Sequence, residues 1–365
     1  MKVGIKSAFN KKRIFIAVLV LVILAVMVIS NPEIRDFFSH SDAVKLNFQT
    51  GIEYDMTNYG KDILLTNNEG IYAVDKLGRE TWNAVSAVTS PYTQVKGKYI
   101  MLADINGKGI KLFQKEKTVS SIETENEILC AKLNKNGYIA VATGELGYKG
   151  MVLLYDKNGK DFFKWHSGAG YIGDIDISSK NKIAVGQIMT DKEEVYTKIL
   201  VINPDSDKEP KIIAEIPGIV MKLKYKEDGS LIAVSNKGLL GYKRSGKEDF
   251  LVDFEGKTPI SCNIENENNM VITFDSGLNS TVLLSYSASG KLRGEFDAGS
   301  EIRAMDVNGE CIVLATRGMV TKITPKGVVK KEIKTNNDVK DIKIFSGRDR
   351  LLTLGDSSAE LIRLK

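Results

Sequence analysis

From about residue 43 onward the chain alternates short apolar runs with polar turns that often hold glycine, the pattern of strands rather than of helices. An apolar run that opens a hairpin recurs as ILLTNNEGIYAV from 63, YIMLADINGKGIKLF from 99, YIAVATGELGYKGMVLLY from 138 and KIAVGQIMTDKEEVYTKILVI from 182. It returns as LIAVSNKGLLGY from 231, MVITFDSGLNSTVLLSY from 270, CIVLATRGMVTKI from 311 and RLLTLGDSSAELIRL from 350. The intervals are 36, 39, 44, 49, 39, 41 and 39 residues. A period near forty with about four short strands per unit predicts a β-propeller. Eight blades are expected, or seven if one unit is irregular.

Before each hairpin stands another strand, such as AKLN at 131, GDIDI at 173, MKLKY at 221, RAMDV at 303 or KDIKIF at 340. These are the expected inner strands around a central channel. The eighth unit stops after its third strand. AVKLNFQT (43–50) precedes the first unit and has no other partner. It is expected to supply the missing outer strand, which would remove an exposed sheet edge.

The N-terminus follows a different pattern. Ile14 to Ile29 is an uninterrupted apolar run of sixteen residues, preceded by Lys11, Lys12 and Arg13. This predicts a signal anchor over 14–30, with 1–13 cytoplasmic and the remainder extracytoplasmic. Residues 31–42 read as a tether that begins at a helix-ending Pro32. The body over 43–365 is the propeller. Secretion after cleavage near Ser30 is the alternative.

Charge narrows the choice of partners. The net formal charge of +5 resides in residues 1–30, so the body is formally neutral and a poor electrostatic partner for nucleic acid. The three cysteines, Cys130, Cys262 and Cys311, form no CxxC pair and lie in apolar runs, which suits small buried side chains. The two histidines are His40, in the tether, and His166. No HExxH, GxSxG or phosphate-loop motif occurs. DINGKG (104–109) reads as a turn without the later acidic ligand of a calcium loop.

One corner recurs after the third strand: YAVDKLGRETW (72–82), LLYDKNGKDFF (153–163), GYKRSGKEDF (241–250), LSYSASGKLRG (284–294) and TKITPKGVVKK (321–331). Gly78, Gly159, Gly246, Gly290 and Gly327 suit a turn position with φ > 0, and Trp82 and Phe163 occupy equivalent places where a ring can bridge blades. The phrase Ala73-x-Asp75-x-x-Gly78-x-x-x-Trp82 resembles the tryptophan-docking corner of the quinoprotein-type, PQQ-like propellers. The quinoprotein dehydrogenases of that superfamily carry an adjacent-cysteine disulfide, and this chain has no Cys-Cys pair. The resemblance therefore implies a non-enzymatic, PQQ-like propeller without a cofactor or metal. Outer-membrane assembly lipoproteins and the membrane-anchored propeller proteins of Gram-positive bacteria are of this kind.

The expected function is a membrane-tethered extracytoplasmic scaffold or sensor that binds an envelope protein or glycan. The alternative is a propeller enzyme, a cryptic quinoprotein or a hydrolase or lyase, using acids in the central channel. Three connections between second and third strands are long: 144–150, 189–197 and 275–281. With the blade connection 164–171 they are expected to gather Glu145, Tyr148, Trp165, His166, Asp191, Glu193 and Glu194 on one face. Rings beside acids and a histidine suit a protein or glycan contact.

Overall fold

The alternating runs pair as antiparallel hairpins. The computed structural model describes residues 43–46, 54–191, 194–277, 279–335, 338–356 and 358–364. Those residues form thirty-two strands in eight four-stranded sheets, the blades of a propeller. Seven blades use four consecutive strands. The first runs Asp55–Tyr59, Asp62–Asn67, Gly70–Val74 and Glu80–Val85. The eighth has the order Ala43–Leu46, Ala359–Arg363, Arg350–Gly355, Val339–Ile344, so a strand from the start of the body fills the outer position of the last sheet.

The inner strands of blades 1 to 8 are Asp55–Tyr59, Pro91–Lys96, Ile128–Leu133, Tyr171–Ile177, Val220–Tyr225, Pro259–Asn263, Ala304–Asn308 and Val339–Ile344. The first and last of them lie against each other, so the blades form a ring. The expected cytoplasmic segment 1–13, anchor 14–30 and tether 31–42, with His40, lie outside the described residues. Among the described residues no helix is long and apolar enough to cross a membrane.

Burial follows position in the blade. The second and third strands of blade 3, Ile139–Thr143 and Met151–Tyr155, are buried along their whole length, because neighbouring blades cover both of their faces. Ala140, Val152 and Leu154 pack onto Ile175, Ile183 and Val185 of blade 4, a core that lies between the blades. Each of these valine, leucine and isoleucine side chains contributes about 1.5–3 kcal/mol by its burial. The outer strands Asp161–His166 and Glu248–Asp253 alternate half-buried and exposed positions, since one face meets solvent.

The recurrent corner is one hydrogen-bonded turn used five times. The Gly78 amide donates to the Asp75 carbonyl at 2.9 Å and the Asp75 amide to the Arg79 carbonyl at 3.0 Å. The same pair of bonds recurs at Asp156/Gly159, Lys243/Gly246, Ser287/Gly290 and Thr324/Gly327, and all five glycines have positive φ. Asp75 also accepts the amides of Leu77 and Arg79 through its side chain, as Asp156 does those of Asn158 and Lys160. Trp82 lies edge-on to Tyr59 with ring centroids 6.0 Å apart and packs between blades 1 and 2. Phe163 does the same between blades 3 and 4. Asp104 of the DINGKG turn accepts the amides of Thr89 and Ser90 at 2.9 and 2.7 Å, which fastens the connection from blade 1 onto blade 2.

Candidate functional site

One face of the ring carries the connections between second and third strands and those between blades. On it, loop 144–150 of blade 3 is zipped to the connection that follows. The Lys149 amide donates to the Ser167 carbonyl, and the Ser167 amide to the Gly150 carbonyl, both at 2.8 Å. The Ser167 hydroxyl is buried, accepts the Gln187 side-chain amide at 2.7 Å and donates to the Gly170 carbonyl. A Cβ at Gly170 would stand 2.5 Å from the Met189 sulfur, so only glycine lets the connection lie this close to blade 4. Glu145 accepts the Asn126 side-chain amide at 2.8 Å, which ties the same loop to the preceding blade connection.

On this fixed backbone stands a group of rings. Tyr148 and His166 lie with ring centroids 4.7 Å apart at an interplanar angle of 37°. Lys149 places its ammonium 4.8 Å from the centre of the Tyr171 ring and 3.3 Å from its hydroxyl. Tyr148 is 50% exposed, Tyr171 60% and the adjoining Leu146 96%, so the patch meets solvent as rings and alkyl chain. Leu146, Lys149 and Tyr171 belong to the patch, although the sequence pattern did not single them out. The available signal was a lysine and a leucine beside Tyr148, and a tyrosine at the mouth of the next inner strand.

Other expectations for this face need correction. Residues 164–166 are not a blade connection but the end of the outer strand Asp161–His166, and the connection is 167–170. Trp165 therefore turns its ring onto the core between blades 3 and 4. The segment 189–197 is not a long loop. Strands Ile183–Asp191 and Glu194–Ile202 run on as a paired hairpin, with Asp191 opposite Glu194. The segment 275–281 is likewise the end of the hairpin formed by Met270–Gly277 and Ser280–Tyr286. Alternation and β-branched residues carried these strands past the core, where sequence polarity suggested a loop. Asp191 and Glu194 are exposed at the hairpin tip, and among the described residues no hydrogen bond or ion pair joins them to the rings. Glu193 lies outside the described residues.

The channel holds a second concentration of charge. Lys96, Lys222 and Lys224 surround Glu265 at 3.7, 3.6 and 2.5 Å, and Lys132 stands 3.5 Å from Asp174. Burial alone would raise the Glu265 carboxyl, but these ammonium groups hold it well below the usual carboxylate range. Half of the Glu265 side chain faces the channel water, so the attraction is screened and carries no large stability. Asp176 is pushed up to about 6 by burial. Asp341, close to Lys343, is also pushed up to about 6 by burial.

Several of these acids act as clamps between blades. Asp174 accepts the Leu223 amide at 2.7 Å, Asp176 the Tyr225 amide at 2.6 Å and Asp306 the Ile344 amide at 2.8 Å. Gln94 accepts the Leu133 amide at 2.6 Å in the same manner. A side chain of one inner strand thus satisfies the backbone of the next, where the sheets themselves cannot pair. The three cysteines are free thiols, with Cys130 and Cys262 half-buried beside interblade cores. Among the described residues no group of three or more His, Cys, Asp or Glu is placed to hold a metal ion.

The pattern of a family of unknown function, DUF5711, matches residues 38–364. The chain belongs to that family. No curated protein matches it in sequence. Among solved structures, this DUF5711 propeller is similar to BamB from Moraxella catarrhalis, at 11% identity and a TM-score of 0.55 over 89% of this chain and 99% of that one. It is also similar to the Dos1 propeller, at 13% identity and a TM-score of 0.58 over 90% and 95% of the two chains. At such identities the likeness is one of fold.

Proposed function

We propose that this DUF5711 protein is a membrane-tethered, extracytoplasmic propeller that binds another component of the cell envelope as a non-catalytic scaffold or sensor. The observation that carries the reading is the ring patch of Tyr148, His166 and Tyr171. Its backbone is bonded to two neighbouring connections, while its apolar atoms stay in water. Preformed aromatic surface loses little conformational entropy on binding, which is why such residues dominate protein and glycan contacts. The basic residues before the apolar run at 14–29 support tethering, with the body outside. The Ala73–Trp82 corner supports kinship with PQQ-like propellers, and the use of channel acids as blade clamps favours a scaffold over chemistry in the channel.

The test is cross-linking of the full-length protein in intact cells, with mass spectrometry of what is captured. The reading expects one reproducible envelope partner with cross-links at 144–150 or at Lys149 in particular. Tyr148→Ala combined with Tyr171→Ala should abolish capture and leave the melting temperature unchanged. Capture that persists in this double variant would remove the patch as the docking face.

A further inference from the structure

The opposite face carries the turns between first and second strands and the corners between third and fourth. Between blades 4 and 5 these turns enclose a cleft of about 240 Å³. Five of its lining residues are cationic: Lys180, Lys182, Lys211, Lys243 and Arg244. Its two acids are already engaged. Glu227 lies 3.4 Å from Lys135, and Asp228 accepts the amide and hydroxyl of Ser230 at 2.8 and 2.6 Å. Lys211 donates to the Ser245 carbonyl at 2.9 Å and Lys243 stands 3.5 Å from Asp249. Among the described residues, Lys180, Lys182 and Arg244 have no acidic partner.

The corner that forms one wall departs from its counterparts in a telling way. Asp75 and Asp156 use a carboxylate to accept the amides two and four residues ahead in their own turns. Ser287 and Thr324 accept the fourth amide with a hydroxyl. Blade 5 has Lys243 at this position, which offers no oxygen. The Lys247 amide finds only a 3.4 Å bond to the Ser245 hydroxyl. This corner therefore contributes a cation and no carboxylate to the wall of the cleft, so nothing in the turn itself repels an external anion. Tyr225 is a wall of the cleft and also of a recess of about 50 Å³ in which Lys96, Lys135 and Lys226 stand with Asp176 and Glu227.

We propose that this cleft between blades 4 and 5 binds a phosphate group, carried on a soluble phosphate ester or on an anionic lipid headgroup. Arg244 would bind it through its planar pair of donors, and Lys180 and Lys182 as point charges. The site is separate from the Tyr148 patch and does not depend on it.

The test is calorimetric titration of the full-length protein in a non-ionic detergent with glycerol phosphate and, separately, with short-chain phosphatidylglycerol. Short-chain phosphatidylcholine and matched chloride serve as controls. Saturable binding of either anion is expected, weakened about tenfold by Lys182→Glu or Arg244→Glu. Lys326→Glu, in the equivalent corner of blade 7, should leave it unchanged. Binding of glycerol phosphate would support a soluble ester as the source, and binding of phosphatidylglycerol alone a headgroup. Absence of saturable heat with both anions, or binding that survives Arg244→Glu, would overturn the proposal. So would equal loss in all three variants. Thermal melts verify each fold; Arg244 is exposed, so its variant decides the matter if Lys182→Glu does not fold.

Discussion

The carboxylate of Asp176 in blade 4 accepts the backbone amide of Tyr225 in blade 5 at 2.6 Å. The bond joins two inner strands that share no sheet, and it uses a group that burial makes expensive to ionise. Burial pushes the Asp176 carboxyl up to about 6, while Tyr225 and the ammonium groups of Lys96 and Lys132 draw it down. Because the folded-state value lies above the unfolded one, the native protein holds this proton more tightly. The ionisation cost is absent below about pH 4 and complete above about pH 6, and it reaches about 3 kcal/mol.

Asp176→Asn should therefore raise stability at about pH 7.5 by about 1–3 kcal/mol, since the amide oxygen can still accept the Tyr225 N–H and no charge is buried. Asp176→Ala should be less stable than Asp176→Asn by about 1–3 kcal/mol, because the Tyr225 amide loses its acceptor. Urea unfolding across pH measures both. The Asn variant should also lose the part of the wild-type gain in stability between about pH 7 and pH 4 that Asp176 supplies. An unchanged pH profile would show that Asp176 is not the titrating group.

Trp165 and Tyr148 should separate stability from recognition. The Trp165 ring packs onto the core between blades 3 and 4, so Trp165→Ala should cost about 3–5 kcal/mol of unfolding free energy. Tyr148 is half exposed, and Tyr148→Ala should shift stability by less than about 1 kcal/mol. Thermal melts of the two variants check the contrast, and similar melts would contradict the assigned packing.

Gly327 and Gly60 have similar positive φ values, 76° and 62°, but different surroundings. A Cβ at Gly327 would run into the Glu295 backbone carbonyl of the neighbouring blade, whereas at Gly60 nothing lies within 4 Å. Gly60→Ala should cost about 1 kcal/mol for the left-handed backbone alone. Gly327→Ala should cost at least about 2 kcal/mol more, as the blades must part to admit the methyl group. Chemical denaturation midpoints decide between the two.

The thiols should be inert in the native protein. Burial pushes Cys130 up to about 12, and raises Cys262 and Cys311 as well. Alkylation at about pH 8 should be slow for all three until denaturant is added, because the thiolate is the reactive form. Rapid labelling of any one without unfolding would mark a local opening of its inner strand or hairpin.

The eight-bladed architecture was legible because it rests on local rules. Alternation, turn glycines and a forty-residue period act within one unit, and repetition made each weak signal strong. The corner of Asp75 and Gly78 shows this well: the same two backbone bonds close it in five blades, whatever residue stands first. The candidate faces were less legible. Tyr148 and His166 are both expected on this face and their rings do meet, yet Trp165, next to His166 in the chain, turns inward. In a strand ending at His166, adjacent side chains point to opposite faces, and only the pairing of Val152 with Trp165 and Met151 with His166 decides which is which.

The sequence by itself determined the repeat, the strands, the turns and the apolar segment that precedes them, since these follow from patterns within about forty residues. Tertiary structure alone decided which charges meet. Asp176 and Tyr225 are far apart along the chain and bonded, and Lys180 and Arg244 line one cleft, only because the ring sets blade 4 against blade 5. Hydrogen bonds and charge clusters are short-range, so their partners appear only when the inner strands and corners of neighbouring blades are brought side by side.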